Sequence, residues 1–347
     1  MQIGKHDVKI SGIDKTLLID TQKRLDMLTK PLGSLGRLEE IAKTVVAISE
    51  KKNPVLKNKV IFTLAGDHGI AREGVSAFPS EVTPQMVLNF VNGGAGINVL
   101  ARHVGARVVI ADMGVNYDFK DIKGLINKKI GPGTKSFTSG PAMTREEAIR
   151  SVEAGIDLVL AEKELDMIGT GDMGIGNTSP SAAITSIYTG KAVKEVTGRG
   201  TGVDDKGLAN KIALIEKGVK FNKPDKNDAL DVLSKVGGFE IGGLAGVILG
   251  GAMRKVPVVV DGFISTAAAL IAVGIEPKAG EYIIAAHNSV ENGHKYALEY
   301  LKQKPILNLE LRLGEGTGAA LAMGIIDGAV KILNEMATFE SAGVSNK

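Results

Sequence analysis

The sequence predicts an α/β protein built on a parallel β-sheet with helices on both faces. Three observations carry that prediction. Short apolar runs recur along the chain, and the stretches between them are long enough and periodic enough for crossover helices. Polar residues gather directly after those runs, where ligands bind in parallel sheets. Composition agrees: of 347 residues 44% are apolar but only 4% aromatic, so the core is aliphatic, and 44 glycines are too many for a helical bundle.

Taken in order, residues 13–52 read as helices, with Leu17, Leu18, Leu25 and Leu28, then Leu35, Leu38, Ile41, Val45 and Ile48 at three- and four-residue spacing. Lys30-Pro31-Leu32-Gly33-Ser34-Leu35-Gly36 makes the turn between them. From residue 60 the pattern changes to a short apolar run, 60–65, that ends in Gly66-Asp67-His68-Gly69. Comparable runs lie at 107–112, 165–170, 256–261, 282–286 and 306–309, and helical stretches at 81–103, 144–162, 178–188, 205–219 and 263–273. Residues 119–139 show weak periodicity and are expected to be irregular.

The chemistry-bearing residues fall at the strand ends. Asp67 and His68 follow the first run, Gly171-Asp172 the third, Asp261 the fourth, His287-Asn288-Ser289 the fifth, and Glu315 the last. Glu315 sits in Leu313-Gly314-Glu315-Gly316-Thr317-Gly318, where flanking glycines allow positive φ and close approach of a ligand. That turn reads either as a catalytic base or as a solvated glutamate at a tight strand-to-helix connection. Gly174-Ile175-Gly176-Asn177-Thr178 suits a phosphate at a helix start, against an ordinary turn capped by Asn177 or Thr178. No Gly-Lys-Ser/Thr follows, so it is not a Walker loop, and the glycine spacing is not the dinucleotide fingerprint. In Gly198-Arg199-Gly200-Thr201-Gly202, Arg199 could clamp an anion, and Asp204 or Asp205 could cap the following helix. Lys211, one or two turns on, reaches the same anion or is solvated. Gly237-Gly238-Phe239-Glu240-Ile241-Gly242-Gly243 allows backbone to approach a ligand or helices to pack closely.

Several classes are disfavoured. The formal charge of +3 is near balance and the basic residues are scattered, so no nucleic-acid partner is expected. Zero cysteines exclude disulfides and thiolate chemistry and fit a reducing cytoplasm. The N-terminal residues lack a signal-peptide pattern, and no uninterrupted apolar run approaches a bilayer span, so no membrane association is expected. Asp67, His68, His287, Glu291 and His294 invite a metal reading, but the spacing is not that of a helical zinc pair, and neither metal nor cofactor is expected.

Five motifs stand together in one order: Lys30-Pro31-Leu32-Gly33-Ser34-Leu35-Gly36, Ala65-Gly66-Asp67-His68-Gly69, Gly174-Ile175-Gly176-Asn177-Thr178, Gly198-Arg199-Gly200-Thr201-Gly202 and Leu313-Gly314-Glu315-Gly316. From about residue 17 to 333 the chain resembles the nicotinate-nucleotide–dimethylbenzimidazole phosphoribosyltransferase family. The resemblance implies a Rossmann-like sheet of about six strands in a large catalytic domain, 56–313, and a small helical domain made of 1–55 and 314–347. It implies a cytoplasmic homodimer that moves the phosphoribosyl group of nicotinate mononucleotide onto dimethylbenzimidazole or a related azole. Glu315 is the implied general base. Asp172 stands where the family usually has the longer Glu and is the second catalytic candidate. The implied azole pocket draws on Ser76, Gln85, Met86 and Leu313, and the implied phosphate and ribose site on Gly174, Gly176, Asn177, Thr178, Gly202, Lys211 and Ser289, with Asp261 beside them. The competing readings are a dinucleotide-dependent oxidoreductase and a non-catalytic nucleotide-binding protein.

Overall fold

A computed structural model describes residues 1–345. A short antiparallel ribbon, β1 (Gln2–Ile3) and β2 (His6–Asp7), precedes α1 (Lys15–Asp26) and α2 (Arg37–Ser49), the two helices read from the leucine spacing. Lys30, in the turn between them, is buried with its ammonium 2.8 Å from Glu39. β3 (Lys59–Gly66) then enters the core. The expected helix 81–103 is two, α3 (Val82–Val91) and α4 (Gly96–His103), because Gly93 and Gly94 end the first. The remaining strands are β4 (Ala106–Gly114), β5 (Leu125–Asn127), β6 (Met167–Met173), β7 (Val258–Val260) and β8 (Ile283–Ala285). Between and after them come α5 (Arg145–Leu160), α6 (Thr178–Thr189), α7 (Val193–Val196), α8 (Asp205–Asn222), α9 (Ala229–Val236), α10 (Phe239–Met253), α11 (Phe263–Ile275), α12 (His294–Tyr300), α13 (Thr317–Glu335) and α14 (Phe339–Ala342).

The sheet order is β5-β4-β3-β6-β7-β8, and every pair is parallel. The chain builds outward from β3 to one edge, returns to β6, and builds to the other edge. This is the strand order of a Rossmann sheet, with its switch point between β3 and β6. Side chains of β3 alternate as a strand demands: Phe62 and Leu64 join the apolar cluster under α5, α10 and α11, while Ile61 and Ala65 join the one under α2 and α13.

Two expectations fail. Residues 306–309 are not a strand; they make one parallel bridge, Leu307 to His287, because Pro305 removes a ladder donor and Leu309 is 53% exposed. The sixth strand is instead the three-residue edge strand β5, inside the stretch expected to be irregular and too short to show a period. The glycine-rich 237–243 stretch opens α10, and its helical glycines serve packing: a Cβ on Gly243 would lie 2.7 Å from the Met113 Cε, and one on Gly242 would overlap the Ser151 Oγ of α5. Five glycines in α10 hide its helical character from sequence, and burial against α5 overrides their low propensity.

The two chain ends meet. Thr29 N–H donates to the Ala337 carbonyl at 3.0 Å, and Leu25, Leu28, Ile41, Val45, Val330 and Leu333 share one apolar cluster. The helical unit expected at 314–347 includes 346–347, which lie outside the described residues. α13 has the length and composition of a membrane span, yet its Ala319, Ala322, Met323 and Ile326 are buried and it packs against α2, α4 and β6.

Candidate active site

Glu315 lies over the switch point. Its N–H donates to the Asp172 carbonyl at the end of β6 (3.2 Å), and its own carbonyl accepts from the Thr63 hydroxyl of β3 (2.9 Å). Three consecutive residues take positive φ: Gly314 at 80°, Glu315 at 64° and Gly316 at 97°. A left-handed glutamate is uncommon, so the turn holds Glu315 in a costly conformation that its surroundings fix. The carboxylate thereby reaches the start of α4, where Ile97 N–H donates to Oε2 at 3.1 Å. Burial raises the Glu315 carboxyl above the ordinary range, and the α4 amides at Ile97 and Gly96 pull the other way. The left-handed φ at a non-glycine is the part of the motif that sequence does not show.

Three further buried carboxylates crowd the same corner. Asp172 rises to about 8 because of burial first, then the charges of Asp261 and Glu240, against one hydrogen bond from Asn177 Nδ2 at 2.8 Å. Asp261 rises to about 7 through burial, opposed by backbone amides. Its oxygens accept from Gly316 N–H at 3.2 Å and Ala319 N–H at 2.8 Å, so Asp261 caps α13 and holds the Glu315 turn. Glu240 pairs with His68 Nε2 at 2.6 Å, deep under the first strand end. Asp67 ties its Oδ2 to Asn116 N–H at 2.8 Å.

A cleft of about 240 Å³ opens beside this corner. Asp172, Asn177, Thr178, Ser289, Leu313 and Gly314 line it, which brings together residues from separate motifs far apart in the chain. Phe78, Phe263, Ile264 and His287 also line it, as do Glu291 and Arg312. The apolar walls escaped the sequence reading; with nine Phe in the chain, two of them next to glycine motifs were the available signal.

Behind Thr178, which lines the cleft, Lys211 is fully buried and its ammonium donates to the Thr178 hydroxyl at 2.6 Å, at the first turn of α6. Burial lowers it to about 8, with Glu291 opposing. The burial excludes the solvated reading of Lys211 and leaves its ammonium at the start of α6, where an anion is favoured. Asn177 occupies the N-cap position, but its side chain serves Asp172. Arg199 is engaged by Asp205 and by the Val203 carbonyl, and Asp204 caps α8 through Gly207 N–H at 2.7 Å.

A family model described as phosphoribosyltransferase matches residues 10–344. The chain belongs to that family. Among curated relatives, the nicotinate-nucleotide–dimethylbenzimidazole phosphoribosyltransferase of Citrifermentans bemidjiense is 59% identical over 340 residues, 97% of either chain. The protein of the same name from Desulforamulus reducens is 57% identical, again over 97% of both. The crystal structure of the Thermus thermophilus protein of that name superposes with a TM-score of 0.91 at 40% identity, covering 96% of this chain and 100% of that one.

This family member is a pentosyltransferase on a Rossmann-like sheet. The remaining residues implied by the resemblance are placed as follows. Ser76 Oγ lies 2.9 Å from Thr201 Oγ1 and ties its loop to the 198–202 loop. Gln85 is exposed and Met86 half-buried on α3, and neither lines the cleft. Leu313 is 61% exposed at the cleft mouth. Gly174 and Gly176 pack against Gly66 and Ala71 at the end of β3, and Gly202 lines an adjoining cavity of about 480 Å³.

The raised Asp172 carboxyl has a consequence for stability. Its folded value lies above the unfolded one, so its contribution is fully present below the unfolded value of 3.8 and is lost as pH rises through about 8. Asp172→Asn, which keeps an acceptor for Asn177, is therefore expected to melt above wild type by several degrees at pH 8, with a clearly smaller gap at pH 5. Parallel thermal melts at the two pH values check this.

Proposed function

We propose that the chain transfers the phosphoribosyl group of nicotinate mononucleotide to dimethylbenzimidazole, giving α-ribazole 5'-phosphate and nicotinate, a step of cobalamin biosynthesis. The observation that carries this proposal is the buried Glu315, held on a left-handed turn at the switch point directly after Leu313 and Gly314, which line one cleft together with Thr178, the partner of the buried Lys211. The names of the relatives support the substrates.

Nicotinate departs from a positively charged pyridinium, so its leaving neutralises charge and needs little acid help. The attacking azole is neutral, and its N–H proton must go as the other ring nitrogen bonds to the anomeric carbon. A single carboxylate meets that need, and Glu315 is the one presented by its own turn. Attack opposite the departing nicotinate inverts the β-nucleotide to the α-product. Lys211 and the α6 start hold the phosphate, the cleft holds the ribose, and orientation supplies much of the rate. Asp172, neutral at moderate pH, limits the negative charge that Glu315 meets.

Residues 1–55 with 314–347 act as the smaller helical unit against the catalytic 56–313, supported by the stitched chain ends. The same family likeness supports a cytoplasmic homodimer.

Lys211→Met is expected to raise KM for the nucleotide roughly ten- to a hundredfold, the weight of a charged hydrogen bond, with a smaller effect on kcat. Steady-state kinetics against nicotinate mononucleotide tests it, and an unchanged KM removes Lys211 from the phosphate site. The reaction itself is tested by mixing protein, nicotinate mononucleotide and dimethylbenzimidazole and separating the products. Nicotinate and ribazole phosphate in equal amounts are expected. Nicotinate alone indicates a hydrolase, and binding without turnover a nucleotide-binding protein.

A further inference from the structure

Glu291 is a buried acid with no established task. It lies between β8 and α12, two residues past Ser289, and is 9% exposed. Its Oε2 is buried and has no hydrogen-bond partner. It lines both the 240 Å³ cleft and the adjoining 480 Å³ cavity.

The glycine loop before α8 sets Glu291 against the anion corner. Gly200 donates its N–H toward the Glu291 carboxylate, while a Cβ at Gly200 would stand 3.0 Å from Lys211 Nζ and 2.8 Å from Thr178 Oγ1. A Cβ at Gly198 would overlap Glu291 Oε2. Gly200 thus packs against both the acid and the ammonium, and Glu291 shares the cleft wall with Thr178, the hydroxyl that Lys211 holds. The charged groups that face Glu291 are Lys211 from α8 and Arg312 from the loop before Glu315.

A carboxylate beside a phosphate in a water-poor corner is repulsive unless a proton lies between them. A phosphomonoester can carry that proton near neutrality, since its second ionisation lies at about pH 6. Burial pushes the Glu291 carboxyl up, which favours the same shared proton. A sulfate has the same shape and no proton to share.

We propose that Glu291 is a specificity-determining residue that selects a phosphomonoester by sharing a proton with it and turns away tetrahedral anions that lack one. This rests on placing the nucleotide phosphate at Lys211 and Thr178.

The test sets inorganic phosphate and sulfate as competitors of nicotinate mononucleotide on the whole protein, wild type and Glu291→Gln, at neutral pH. Wild type is expected to prefer phosphate by at least about a hundredfold, in line with sites that require a ligand hydrogen. In Glu291→Gln, whose amide donates to either anion, the preference should fall below about tenfold, on the same reasoning. Equal competition by the two anions in wild type overturns the proposal and leaves the phosphate site standing. Competition by neither anion overturns the phosphate site and the proposal with it. Should the variant not fold, the wild-type ratio decides alone.

Discussion

Glu315→Gln is expected to lower turnover by about 10²–10⁴, the usual weight of a general base, and to leave nicotinate mononucleotide affinity within a few-fold of wild type. Glutamine keeps the length of the side chain and an oxygen for Ile97 N–H, but it cannot take the azole proton. The sign of the pH dependence follows from the site. Burial raises the Glu315 carboxyl, so the basic form accumulates, and the rate climbs, as pH rises through that raised value. The climbing limb should vanish in the variant. Rates for both proteins across pH, with separate titration of the nucleotide, make the comparison. Near-normal turnover in the variant removes Glu315 from the role.

Gly171→Ala should lower kcat by about a hundredfold while the protein still folds, because displacing a catalytic group by about 1 Å costs that much. Gly171 sits in β6, and a Cβ there would overlap the Glu315 carbonyl and lie 2.8 Å from the Gly316 nitrogen. Both neighbours are backbone, so no side chain can swing aside, and the whole left-handed turn must lift. The strand beneath keeps its ladder to β3. Circular dichroism would confirm folding alongside the kinetics. Wild-type kcat in a folded Gly171→Ala protein would show that the turn tolerates the shift.

The sheet was legible because buried parallel strands leave continuous aliphatic runs, as in β3, and because polar residues follow them. The edge was not. β5 is three residues long, and the half-exposed 306–309 run looks apolar yet pairs only at the single Leu307–His287 bridge. α10 was hidden for a related reason: packing on α5 selects glycines that local propensity counts against a helix. Within the site, Glu315 and Asp172 were found because a carboxylate among glycines stands out. Glu291 appeared only as one of several acids near histidines, since its significance comes from Gly198 and Gly200 folding against it from about ninety residues away. His287 and His294 invited a metal reading that their spacing argued against; in the structure His294 accepts from Ser289 N–H at 2.9 Å and bonds Thr266 at 2.9 Å. Lys211 could be read as solvated or anion-binding, and its burial removes the first of these.

Direct displacement aided by one carboxylate is the centre of the proposed mechanism, and the anomeric configuration of the product reports on it most directly. Proton NMR of ribazole phosphate made from β-nicotinate mononucleotide should show the α-anomer alone. A β-product would mean retention, through two displacements or a free oxocarbenium ion, and would contradict the single step assigned to Glu315.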